Sequence, residues 1–305
     1  MSTPANSVHE LQGAELARTA PTRPFLWSVR RELWEHRLIV GAPILAALIY
    51  LFFYLVQVIV VRYRMHGVWP TGPEKLHGLL TAPYDFAAAL VMGTGFIVGL
   101  YYCLDALYGE RRDRSILFWK SMPVSDLITV LSKVTIPFVI LPLLSFAITL
   151  ATQVLMLALS SVLLLGSGLG TSTLWTHASI FHDSLLMLYH IVTVHGLWYA
   201  PFYGWLLFVS ASVPRAPLVW AFLPPFLIGG FEMAIFNSNH FFNLLLHRLA
   251  GPETPAMAQS KSVMDVMAAL GPLEFLGLPG LWIGLAIAAA FLFAAVRLRR
   301  SRGPV

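Results

Sequence analysis

Only one cysteine, Cys103, occurs in the 305 residues. An intrachain disulfide is therefore impossible, and a cysteine-based metal centre is excluded. Charge is scarce too: 11% of residues are Asp, Glu, Lys or Arg, against roughly 25% in soluble domains. The first 37 residues are polar and lack the apolar core of a signal peptide. The first apolar run is too long for one and has no small-residue cleavage site, so it is expected to be retained. A phosphate-binding loop is missing: GSGLGTS at 166–172 has the glycines but no lysine, and reads as a turn. The chain is thus expected to be no enzyme and to have no ATPase site of its own. HExxH is missing as well, and His177, His182, His190 and His195 contain no i, i+4 pair. Nothing in the sequence brings Ser160, Ser161 and His195 together as a hydrolase would need. No catalytic, cofactor or metal residue is predicted, and no nucleic-acid partner.

Hydrophobicity is what the chain has in excess, at 57% of residues. The bilayer is then the solvent for most of its length. Six runs can cross about 30 Å of hydrocarbon at roughly 1.5 Å per helical residue. They are Leu38 to Val61 and then, approximately, Phe86–Leu107, Val134–Leu165, Leu185–Ser212, Leu218–Phe236 and Leu278–Val296. Their continuity favours helices over the alternating strands of a barrel. The fold class is an all-α membrane protein with six transmembrane helices in 38–296. Basic residues outside the runs divide fifteen to five between the two sides. The positive-inside rule then places both termini in the cytoplasm. Residues 1–24 read as a flexible cytoplasmic tail and 297–305 as a basic one.

Residues 25–37, FLWSVRRELWEHR, place Leu26, Val29 and Leu33 at helical spacing, with Trp27 and Trp34 one heptad apart. Arg30, Arg31, Glu32 and Glu35 lie elsewhere on the wheel. This fits an amphipathic interfacial helix with Trp27, Arg30, Arg31 and Trp34 at the membrane surface; a helical extension of the first span is the alternative. The longest outer connection, 237–278, contains HFFNLLLHRL and SVMDVMAAL, which suit short outer helices before the last span.

Inside the fourth run His195, Tyr199 and Tyr203 recur every four residues and share a face, and Pro201 should loosen the local hydrogen-bond ladder. They are candidates for a translocation path or for interhelical packing. Glu232, in LIGGFEMAIF, is an ionisable group near the outer end of the fifth run. It is a further path candidate, or pairs locally.

The segment 108–126, YGERRDRSILFWKSMPVSD, is the largest cytoplasmic loop and mixes charge with an apolar cluster. A short amphipathic helix tied to two spans makes a mechanical handle. Its charges can pair with a soluble partner, while Phe118, Trp119 and Met122 enter a pocket on it. Pro123 should end that helix and let Ser125 or Asp126 cap the next. A helix resting on the membrane surface would show the same amphipathicity.

Glu110-Arg111, the apolar Ile116 to Trp119, then Ser121-Met122-Pro123-Val124-Ser125 and Val130-Leu131-Ser132-Lys133 resemble the permease subunits of type-2 ABC exporters. The six runs, the N-terminal helix and the outer segment fit that resemblance. It implies an ABC-type ATP-binding subunit and a second permease, in a homodimer or heterodimer, as partners. ATP and Mg would be held by the ATPase, with this chain in contact with membrane lipid at a bacterial inner membrane. Segment 108–126 would be the coupling helix, with Glu110, Arg111, Arg112, Arg114, Phe118, Trp119, Lys120, Met122 and Pro123 as coupling residues. Spans one, two and five would line the dimer interface. A non-transporting sensor or immunity subunit that anchors an ATPase on the same fold is the alternative.

Overall fold

A computed structural model describes residues 23–64, 73–122, 124–163, 180–252 and 271–303. Every regular element among them is helical. Pro24 opens α1 (Pro24–Glu35), a position where its missing N–H costs nothing. The first run forms α2 (Leu38–Arg64) and the second α3 (Pro73–Ala106). Two short helices follow, α4 (Tyr108–Arg112) and α5 (Ser115–Ser121), with Arg114 in left-handed backbone (φ 60°) at the turn between them. The third run is α6 (Asp126–Thr135), a π-helical stretch at Ile136–Ile140, and α7 (Leu141–Leu163). The fourth is α8 (Ile180–His190), a second π-helical stretch at Ile191–Trp198, and α9 (Ala200–Ser212). The rest comprises α10 (Pro217–Phe236), α11 (His240–Ala250), α12 (Pro272–Gly277) and α13 (Pro279–Ser301).

Among the described residues, five of these stretches are long and apolar enough to span a membrane, and the bent fourth run makes a sixth if its two parts cross as one span. The chain is thus a multi-pass membrane protein by length and composition. The fourth run bends by 47° where Tyr199 separates its π-helical stretch from α9. Pro201 explains the break: it has no N–H to donate and its ring crowds the preceding turn. The Tyr199 amide instead closes a wide turn onto the Val194 carbonyl at 3.0 Å.

The core joins α3, α6, α9 and α13, with Tyr102, Ile136, Tyr203, Leu207 and Ala295 at most 2% exposed. Gly204 lets α9 approach the backbone of α13 closely at Ala288, the small-residue contact that membrane helices favour. α2 and α10 reach this core only at one end, through Ile39 and Ala221, and only 22% and 11% of their apolar windows are buried.

α1, α4, α5 and the end of α13 gather at one end of the bundle, the base; α11 and α12 lie at the far end. The sixth helix does not stop at Val296 but runs to Ser301, because Arg299 finds carboxylates at the base. The second begins at Pro73, well before Phe86. HFFNLLLHRL is helical as expected, whereas SVMDVMAAL, GSGLGTS, His177 and Pro123 lie outside the described residues.

Candidate functional site

The segment between the second and third spans is rooted in the bundle. Ser210 of α9 accepts the amides of Leu107 and Tyr108 at 3.0 and 2.9 Å, which satisfies the break between α3 and α4. Arg111 Nη1 donates to the Ala211 carbonyl at 2.6 Å. Ile116 is fully buried. At the far side of the segment, Ser125 caps α6 by accepting the Ile128 amide at 3.3 Å, as the sequence led us to expect.

Glu110 points inward to a buried ion cluster. Its Oε1 accepts from Arg31 at 2.9 Å and lies 3.1 Å from Lys133 Nζ, while its Oε2 is bound by Arg299. Glu32 Oε1 accepts from Lys133 at 2.9 Å and from Arg31 at 2.5 Å, and its Oε2 takes the Tyr102 hydroxyl at 2.8 Å. Arg299 Nε then reaches Asp126 at 3.1 Å. Glu32, Lys133 and Arg299 are 0%, 1% and 4% exposed. Desolvation on this scale is tolerated only because each ion faces opposite charge with hydrogen-bond geometry. Burial raises the Glu32 carboxyl, but Lys133 and Arg31 outweigh it and hold the group below the usual carboxylate range. One cluster therefore joins α1, α3 through Tyr102, α4, α6 and α13.

The same cluster seats segment 108–126. The Arg31 guanidinium lies 3.7 Å from the centre of the Trp119 ring, a cation–π contact between α1 and α5. Trp119 is half-buried there, so α5 presents Leu117, Phe118 and Met122 outward, at 57%, 58% and 43% exposure. Arg112, Arg114 and Lys120 are exposed, and Lys120 donates to the Arg302 carbonyl at 3.0 Å. Of the nine predicted coupling residues, Glu110 and Arg111 are thus internal, Trp119 is a seat for Arg31, Pro123 is not described, and the other five face outward.

α1 turns Val29, Glu32, Leu33 and His36 toward the bundle, and leaves Leu26 at 53% exposure. Val29 and Leu33 of the predicted stripe thus pack inward, while Leu26 does not and Glu32, expected elsewhere on the wheel, joins them with three donors on its carboxylate. Glu32, Glu35 and His36 could converge on one ion by distance. Both Glu32 oxygens are, however, already occupied by Lys133, Arg31 and Tyr102.

The path candidates separate into two places. His195, Tyr199 and Tyr203 all pack on Phe96, at ring separations of 6.1, 5.0 and 6.2 Å, despite the break at Tyr199. The gap left between Gly95, Phe96, Ser145, His195 and Tyr203 is about 10 Å³, room for at most one water. In this conformation they form a closed aromatic seam. Glu232 pairs locally instead: it accepts the Ser238 hydroxyl at 2.6 Å and the His240 and Phe241 amides at 2.9 and 2.8 Å, which caps α11. It also borders an open apolar cleft of about 640 Å³ between α10 and α11, with Phe231, Phe236, Phe241 and Leu244.

Sequence reasoning missed Glu32, Asp126, Lys133 and Arg299 as a unit. The available signal was Lys133 and Arg299 standing on otherwise apolar helix faces. It also missed Arg248, which lies at the far end against Trp198, with the guanidinium 4.0 Å from the ring centre. Comparison of the chain with protein-family models, with curated proteins and with solved structures finds no match.

Proposed function

We propose that the chain is the membrane-spanning permease subunit of an ATP-driven exporter, coupled to a separate ATP-binding subunit and paired with a second permease. The observation that carries this reading is the build of segment 108–126. Its root is clamped by Glu110, Arg111 and Ile116, while α5 offers Leu117, Phe118 and Met122 to whatever lies beyond the base. An apolar patch of that kind, rimmed by Arg112, Arg114 and Lys120, has the composition of a protein contact. A force on α5 would pass through Trp119 and Arg31 to α1, and through Glu110 to the third and sixth spans.

Two further features support the reading. α2 and α10 carry mostly unburied apolar surface, as helices facing a second permease would. The aromatic seam at His195, Tyr199 and Tyr203 is closed, and around it two π-helical stretches pack on each other, a local geometry frequent at functional sites. The apolar cleft beside Glu232 favours an amphipathic cargo. The base would face the cytoplasm of a bacterial inner membrane, where ATP is available.

The test is co-purification of an ATP-binding subunit with the tagged chain from its native membrane. Phe118→Asp with Met122→Asp, both on the outward face of α5, is expected to release the ATPase by at least tenfold and leave the chain inserted. A chain isolated with no ATPase, or a variant that holds it undiminished, would defeat the proposal.

A further inference from the structure

The two faces of α1 differ in kind. Toward the bundle it carries Val29, Glu32, Leu33 and His36. Away from it stand Trp27 and Trp34, 65% and 70% exposed, with the exposed Arg30 between them. Spacings of three and four residues align the three side chains along one face. The Arg30 guanidinium lies 5.7 Å from the Trp27 ring centre and 5.1 Å from that of Trp34. Arg23 and Arg37, both exposed, flank the helix at its two ends. No carboxylate shares the arc: Glu32 is buried, and Glu35 lies 3.5 Å from Arg31.

The depth of this face is set by the chain itself. The apolar α2 begins at Leu38, one residue beyond Arg37, so the last turn of α1 stands at the hydrocarbon boundary. Indoles are favoured in the headgroup layer. A guanidinium held between them is stacked, weakly hydrated and able to grip phosphate through two parallel N–H bonds. Three arginines without a carboxylate also demand net negative charge, which a zwitterionic headgroup does not supply.

We propose that Trp27, Arg30 and Trp34, with Arg23 and Arg37, form a binding site for an anionic phospholipid headgroup in the leaflet that α1 meets. The guanidinium of Arg30 takes the phosphodiester, and the indoles border the glycerol region. The inference rests on membrane insertion and is independent of the exporter reading. It also gives the lipid a lever. The opposite face of the same helix supplies Glu32 to the ion cluster, and the neighbouring Arg31 sits on Trp119. Lipid charge would therefore bias the seat of α5.

The purified full-length chain, stripped in detergent and titrated with phosphatidylglycerol or phosphatidylcholine, can be scored by native mass spectrometry for bound lipid. Phosphatidylglycerol is expected to bind more tightly than phosphatidylcholine. Arg30→Gln should weaken it by about fivefold, the equivalent of about 1 kcal/mol. Trp34→Leu, which keeps the charge, should weaken it less, and Arg215→Gln, at an exposed arginine away from α1, should leave it unchanged. Equal binding of the two lipids by the wild-type chain would overturn the proposal and leave the face to an acidic protein. So would an Arg30→Gln effect no larger than that of Arg215→Gln.

Discussion

Both ends of the bundle hold arginines among helices, by opposite means. At the base, Arg31 and Arg299 meet carboxylates, and with Lys133 they surround Glu32, Glu110 and Asp126. At the far end Arg248 meets carbonyls and an indole. Its Nε donates to Trp198 O at 3.0 Å and its Nη1 to Gly280 O at 2.7 Å, while the Trp198 indole N–H returns a bond to the Arg248 carbonyl at 2.9 Å. Nη2 has no hydrogen-bond partner among the described residues and packs against Gly284. Burial lowers the basicity of Arg248 with no carboxylate to offset it, whereas Glu32 and Glu110 overcome burial and raise that of Arg31. The base is thus held by charge and the far end by shape. A charged junction can tie many helices at once, since a carboxylate accepts from several directions; the carbonyl junction ties the end of the second π-helical stretch, at Trp198, to the start of α13, at Gly280.

The largest effect should come from breaking the charged junction. Glu110→Ala takes one carboxylate from each of Lys133, Arg299 and Arg31, leaving Glu32 and Asp126, and is expected to cost about 3 kcal/mol in unfolding experiments in detergent. Glu32→Leu with Lys133→Met should be milder than Glu32→Leu alone, because the pair leaves together. If the double variant is the worse one, charge is not what holds the base.

At the far end Arg248→Ala is expected to cost about 2 kcal/mol, from lost charge-assisted bonds and the Trp198 contact. Gly284→Ala should reproduce part of that loss with Arg248 unmutated, because a β-carbon there would overlap Nη2 and displace the guanidinium. A neutral Gly284→Ala would refute a junction built on shape.

The smallest effect is on acid sensitivity. The folded value of Glu32 lies below its ordinary 4.5, so its contribution is complete above that pH and is lost as pH falls through the depressed value. The gap in thermal midpoint between wild type and Glu32→Gln should stay constant above 4.5 and shrink below it. The gap between wild type and Arg248→Ala should not change, since no titrating group partners Arg248 among the described residues.

Much of the fold was legible in order. Continuous apolar runs announce spans because lipid tolerates only helices with internal hydrogen bonds. Pro201 marked a loosened ladder, which proves to be a break, and the cap was narrowed to Ser125 or Asp126, since both effects act on their own turn of backbone. The base was not legible. Counting Lys133 and Arg299 toward a positive side registers their sign but not their partners, which are 101 and 189 residues away at Glu32 and Glu110. Glu232 illustrates the same limit: alone in an apolar run it could serve a path or pair locally, and only the packed helices show it accepting the amides of α11.

The sequence by itself determined how many helices can cross, where they bend and which loop is charged, because those follow from local transfer energies and backbone chemistry. Which of the loop's charges face inward, and which cation each carboxylate meets, was decided only when distant helices packed. Electrostatic pairing depends on distance in space, and separation along the chain carries no trace of it.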